Sequence, residues 1–255
     1  MTTQPVRLLV TVAHPDDETF GTGSVIAAAV AAGSHVTVCC ATRGQAGEAT
    51  GQPPDVDLGS VREAELRAAG EVLGVSRIIL LDFLDSGMTD DPARGSLAAA
   101  PLPDVVAAIR GVVADVDPHL VVTMDPEHGD GHRDHAVIGR ATLEACRDRP
   151  DTRVYAWAID RALLGRWFAE LGRVRPGSGH LDLDQTGLGR PTDQITTILD
   201  VSHVRHIRDT AIALHASQTS PYEGMPADLR DQFLLTDRLV KLQPAHTAEL
   251  ERSLF

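Results

Sequence analysis

Between positions 14 and 18 the chain reads His-Pro-Asp-Asp-Glu, an imidazole and three carboxylates within five residues. Side chains of these types hold divalent cations and move protons. A second cluster, Gly131-His132-Arg133-Asp134-His135, adds two imidazoles and a carboxylate far downstream. Two histidines and one carboxylate form a common catalytic zinc set that leaves a fourth position for water. If the clusters meet, His14, Asp17 and His135 can converge on one ion. The plainer account of the first cluster is helix capping by Asp16, Asp17 and Glu18. Capping requires neither His14 nor a second aspartate.

Both clusters fall where a strand hands over to a helix. Leu8-Leu9-Val10 reads as a buried strand, and helical spacing through Val25, Ile26, Ala29 and Val30 follows the first motif. Leu120-Val121-Val122 precedes the second, and a helical run from Ala136 to Cys146 follows it. In open α/β sheets ligand sites gather at that edge. Further strands are expected at His35–Ala41, Arg77–Leu81, Arg153–Ala158 and Ile195–Val201. Helices are expected from Ser60, in a capping box with Glu63, to Leu73 and from Asp104 to Val116. Others should run from Ser202 or His203 towards His215 and, last in the chain, from Asp228 to Lys241. The alternation predicts an α/β fold with a Rossmann-like, mostly parallel sheet, helices on both faces and a small C-terminal annex. One domain over residues 1–255 accommodates it. The loops at 43–59, 85–102 and 172–189 are long enough to shape a pocket.

A net charge of −13 argues against a nucleic-acid partner, since nothing basic offsets phosphate repulsion. Lys241 is the one lysine and lies far from both motifs, which disfavours Schiff-base chemistry. The three cysteines, Cys39, Cys40 and Cys146, have neither zinc nor disulfide spacing, as expected of a reducing cytoplasm. No apolar run has the length of a signal core or a membrane span.

The order of motifs resembles a known family, the zinc-dependent N-deacetylases related to N-acetylglucosaminyl-phosphatidylinositol de-N-acetylase and to the mycothiol-pathway deacetylase (PIG-L/LmbE-like). Ala13-His14-Pro15-Asp16-Asp17-Glu18 matches its leading signature and His132-Arg133-Asp134-His135 its second. Thr42-Arg43-Gly44, Arg62 with Glu65, Asp85-Ser86-Gly87-Met88 and His215-Ala216-Ser217-Gln218 are weaker matches in the same order. The resemblance implies one Zn²⁺ per chain, with Fe²⁺ an alternative in the cell, held by His14, Asp17 and His135. It implies Asp16 as general base, His132 as a protonated donor to the oxyanion, and Arg62 and Asp85 as grips on substrate hydroxyls. Arg62 could equally pair with Glu63 or Glu65. Asp134 could pair with His132 or cap the second helix. The implied substrate is an N-acetylated, or otherwise N-acylated, amino-sugar-like small molecule. An amidase acting on a thiol conjugate or an acylated natural product is the nearest alternative, and a homo-oligomer is compatible with either. The chain departs from the mycothiol-pathway pattern at Gly129-Asp130-Gly131-His132, where relatives carry tyrosine in place of Asp130. Gln45 stands where relatives are often acidic.

Rival readings are weaker. Gly21-Thr22-Gly23 lacks the third glycine of a dinucleotide loop, Ile26 standing there. No Gly-x-Ser-x-Gly elbow accompanies any serine. His35, His119, His180 and His246 stand alone, and His203 with His206 make only a thin second metal pair. A non-catalytic sugar-binding module would not need Asp16.

Overall fold

The structure, a computed structural model, describes residues 5–89, 91–127, 129–244 and 249–255. Among these, seven strands form one sheet: β1 (Arg7–Val12), β2 (His35–Cys40), β3 (Arg77–Leu80), β4 (Leu120–Thr123), β5 (Arg153–Trp157), β6 (Thr197–Asp200) and β7 (Thr236–Gln243). Their order is β3-β2-β1-β4-β5-β7-β6. The first five run parallel, and β7 is antiparallel to both β5 and β6. The unbroken apolar runs of β1 and β4 follow from this, because a parallel sheet is covered on both faces. Leu8, Leu9, Val10, Leu120, Val121 and Val122 are fully buried.

Eight helices among the described residues accompany the sheet: α1 (Asp17–Phe20), α2 (Gly23–Ala31), α3 (Leu58–Leu73), α4 (Leu102–Val116), α5 (Arg133–Cys146), α6 (Arg161–Val174), α7 (Arg205–Ile212) and α8 (Ala227–Leu234). Helices α4 and α5 pack on one another and on β1, while α2, α3 and α7 form a second group. None is long and apolar enough to cross a membrane among the described residues.

The register of β1 on β4 decides the site. Leu8 lies opposite Leu120 and Thr11 opposite Thr123, so the two strands end level. The hydroxyls of Thr11 and Thr123 are 2.8 Å apart, and Thr142 of α5 meets Thr11 at 2.8 Å. A buried threonine cluster thus ties both strands and α5 together directly under the two motifs.

Several expectations change. Helix α3 starts at Leu58 after Asp57, and Ser60 donates its hydroxyl to the Asp57 carboxylate at 2.6 Å instead of opening a capping box. Glu63 pairs with Arg43 and Arg67. The expected last helix is two elements, because α8 stops at Leu234 and the chain continues as β7. Inserted between β5 and β6, that segment has its backbone groups satisfied by two neighbours, which outweighs its local preference. The C-terminal strands therefore extend the main sheet. A separate small apolar cluster does form, between α6 and α8, around Trp167, Phe168, Leu171 and Leu229. The 172–189 loop begins inside α6 and contains a short 3-10 turn at Gly179–Asp182. His246 lies outside the described residues.

Candidate metal centre and active site

The ends of β1 and β4 bring His14, Asp17 and His135 together. His135 Nε2 lies 3.3 Å from His14 Nδ1 and 3.2 Å from Asp17 Oδ1, and His14 Nδ1 lies 3.5 Å from Asp17 Oδ2. Metal–ligand bonds of about 2.0–2.1 Å in a tetrahedron place donors roughly 3.3 Å apart, so the distances from His135 Nε2 to His14 Nδ1 and to Asp17 Oδ1 suit a zinc-sized ion. Asp17 Oδ2 also accepts the backbone N–H groups of Ala13 (3.2 Å) and His14 (2.8 Å), which leaves Oδ1 towards His135.

The outer nitrogen of each histidine meets a carboxylate. His14 Nε2 is 3.1 Å from Asp134 and 3.3 Å from Asp85, and His135 Nδ1 is 2.9 Å from Asp130. Such partners fix the ring and its tautomer, presenting the inner nitrogen to a metal. Among the described residues, the groupings with three potential ligand atoms within 4.8 Å of one another are His14 with His132 and His135, and His14 with Asp85 and Asp134. In the second, the carboxylates sit behind the His14 ring.

These contacts reassign several expected roles. Asp134 neither caps α5 nor turns to His132: its carboxylate accepts from Ser86 N (3.0 Å) and Ser86 Oγ (2.5 Å) besides facing His14. The cap of α5 is His132, whose Nδ1 accepts the Asp134 N–H at 3.2 Å. Asp85 accepts from Ala46 N and Gly87 N while it supports His14, so it is engaged by the protein. Arg62 pairs with neither Glu63 nor Glu65. Its guanidinium donates to Pro15 O (2.5 Å), Gly44 O (2.6 Å) and Asp16 Oδ2 (3.0 Å). A Cβ at Gly44 or Gly47 would run into the guanidinium and displace it from this position. His215 reaches Glu18 at 2.8 Å, and Glu18 in turn accepts the Asp16 N–H at 2.9 Å. His215 thus supports the first motif from behind.

The electrostatics follow this packing. Burial would pull His14 and His135 down, but the surrounding carboxylates outweigh it and hold His14 well above its ordinary value and His135 at about 10. Burial alone would raise Asp17, yet His135 and His14 hold it well below the usual range. Burial pushes Asp16 up to about 6, against the pull of Arg62. His132 is pushed down to about 3 by burial and by positive charge at His14 and His135. The expectation of a protonated His132 is therefore corrected to a neutral ring, and a cation held at the centre would act in the same direction. With Nδ1 accepting from Asp134 N, the neutral ring carries its proton on Nε2 and remains a donor.

All seven residues expected at the site line one cavity of about 470 Å³. Sequence reasoning did not find Asp130 as a partner of His135, because a carboxylate five residues away across a turn has no characteristic spacing. Nor did it find the aromatic residues of β5, α6 and α8 that enclose the cavity, which look like ordinary core.

Residues 9–146 match the model of a family described as PIG-L, GlcNAc-PI de-N-acetylase. A 1D-myo-inositol 2-acetamido-2-deoxy-alpha-D-glucopyranoside deacetylase of Geodermatophilus obscurus is 33% identical, over 92% of this chain and 92% of its own. Among solved structures, N,N'-diacetylchitobiose deacetylase from Pyrococcus horikoshii superimposes with a TM-score of 0.64 at 18% identity, covering 94% of this chain and 88% of its own. GalB, a 4-carboxy-2-hydroxymuconate hydratase from Pseudomonas putida KT2440, gives 0.64 at 17%, covering 95% and 98%. A deacetylase and a hydratase on equally similar scaffolds mean that the shared fold alone does not select the chemistry.

Proposed function

Because this chain belongs to the PIG-L, GlcNAc-PI de-N-acetylase, family, we propose that it is a zinc-dependent N-deacylase hydrolysing the amide of an amino-sugar-like small molecule, GlcNAc-inositol compounds included. The observation that supports this reading is the convergence of His14, Asp17 and His135 at the ends of two neighbouring strands, with Asp16 beside them. Those three residues would hold the ion, which when bound polarises the amide carbonyl and acidifies water. The same ligand set suits Fe²⁺.

Asp16 is the base. Its Oδ2 is held by Arg62, leaving Oδ1 to take a proton from the attacking water and return it to the departing amine nitrogen. A carboxyl with a pKa of about 6 is mostly ionised at neutral pH yet close enough to it to give the proton back. Its backbone φ of 115° is one that side chains rarely adopt, a strain that aims the carboxylate into the cavity. His132 Nε2–H supplies a hydrogen bond to the developing oxyanion. Arg62 acts by positioning Asp16, and Asp85 by orienting His14.

The test joins metal analysis to an amine-release screen over N-acylated amino sugars. One divalent ion per chain, lost in His14→Ala, Asp17→Ala and His135→Ala alike, is expected. Full occupancy in all three variants would place the centre elsewhere.

A further inference from the structure

The cavity has two unlike sides, fixed by strand order. The loops after β2 and β3 lie on one side of the β1/β4 centre, and β5 with α6 on the other. The first side carries Arg62, Asp85, Gln218 and the chain from Ala46 to Glu48. The second presents Trp157, Ile159, Leu164, Trp167, Phe168 and, from α8, Phe233.

The polar tips on the second side are turned into the protein. The Trp167 indole N–H donates to Pro221 O at 2.8 Å, and the Tyr222 hydroxyl donates to Phe20 O. Arg175, Ser178 and His180, which follow α6, also line the cavity: Arg175 donates to Ser220 O while its Nε is buried without a partner, and His180 meets Ser178. Away from Arg175, Ser178 and His180, this wall offers ring faces and alkyl groups. A sugar hydroxyl laid on it would be stripped of water without a partner.

An amide straddling the centre must place one half on each side. The amine half, rich in hydroxyls, matches the polar side, which leaves the acyl half to the aromatic wall. Acetyl covers little of such a wall. We propose that the acyl group removed by this enzyme is an extended apolar one, a medium-chain alkanoyl or arylacetyl group, seated against Trp157, Trp167, Phe168 and Phe233. This rests on the reading of the site as an amide hydrolase and names the substrate class within it. Each methylene buried is worth about fourfold, so the four that separate hexanoyl from acetyl give at least about tenfold even when half exposed.

Both tryptophans of the chain line this wall, so intrinsic fluorescence reports its occupancy without turnover. Titrating the metal-loaded protein with hexanoate and phenylacetate should change the emission, with dissociation constants at least about tenfold below that of acetate. In kinetics, kcat/KM for N-hexanoylglucosamine should exceed that for N-acetylglucosamine by at least about tenfold. Phe233→Ala should narrow that ratio to about threefold or less. Equal affinity for acetate and hexanoate overturns the proposal, as does a gain seen for phenyl glycosides of N-acetylglucosamine and not for longer acyl chains. Absence of amine release from every substrate would instead sink the hydrolase reading, while the fluorescence titration still decides whether the wall binds apolar acids.

Discussion

Asp16 and Asp17 are neighbours with opposite assignments, so exchanging each for asparagine separates base from ligand. Asparagine is the right probe at position 16 because it matches aspartate in size and shape where the backbone is held at the unusual φ of 115°. In Asp16→Asn the amide carbonyl oxygen can still accept from Arg62, as Asp16 Oδ2 does now at 3.0 Å, which preserves the loop. What vanishes is the ability to take a proton. Positioned bases contribute about 10²–10⁴ in rate, or roughly 2.7–5.4 kcal/mol of transition-state stabilisation. Asp16→Asn should therefore lower kcat by that factor and retain one metal per chain by elemental analysis. Asp17→Asn should weaken metal binding, since a neutral amide replaces the anion that faces His135 at 3.2 Å. Metal loss in Asp16→Asn with retention in Asp17→Asn would mean the two roles are reversed.

Three further outcomes are expected. Asp130→Ala should weaken zinc affinity about 10–100-fold in chelator competition, because His135 loses the carboxylate at 2.9 Å that fixes its ring; unchanged affinity would refute that role. Arg208 is fully buried and donates to Thr19 O, Ser24 Oγ, Phe20 O and Gly21 O, so it anchors the end of α1. Arg208→Met should cost about 3–5 kcal/mol, because Asp237 is left buried without its partner, and lower Tm by roughly 10 °C; a Tm within about 2 °C of the parent would show the cluster to be dispensable. Burial pushes the Asp237 carboxyl from 3.8 up to about 6, although Arg208 pulls it down. The folded state then binds the proton where the unfolded chain has released it, so the contribution of Asp237 to stability is fully present below about 4 and falls by up to roughly 3 kcal/mol as pH rises through about 6. Denaturant titrations across that window should show the slope in the parent and lose it in Asp237→Asn; an identical slope in both would assign the titration to another group.

The sequence by itself determined the parallel half of the fold and pointed to seven residues that gather at one cavity. Leu8–Val10 and Leu120–Val122 are too uniformly apolar for a half-exposed strand, and each leads into a cluster of ligand-type residues before a helix. Periodicity and composition are local properties, so they survive in one dimension. Tertiary structure decided what depends on partners far away in the chain. Residues 236–243 carry too many charges to look like an inner strand, and only the gap between β5 and β6 makes them one. Arg62 could have met Glu63 or Glu65, but the two glycines at 44 and 47 opened a path to Asp16. The charge of His132 depended on two other imidazoles brought alongside by the level ends of β1 and β4. Trp157, Trp167 and Phe233 have no spacing that marks a site, and only folding set them together on one cavity. Pairing, burial and field are properties of neighbours, and neighbours exist only once the chain has folded.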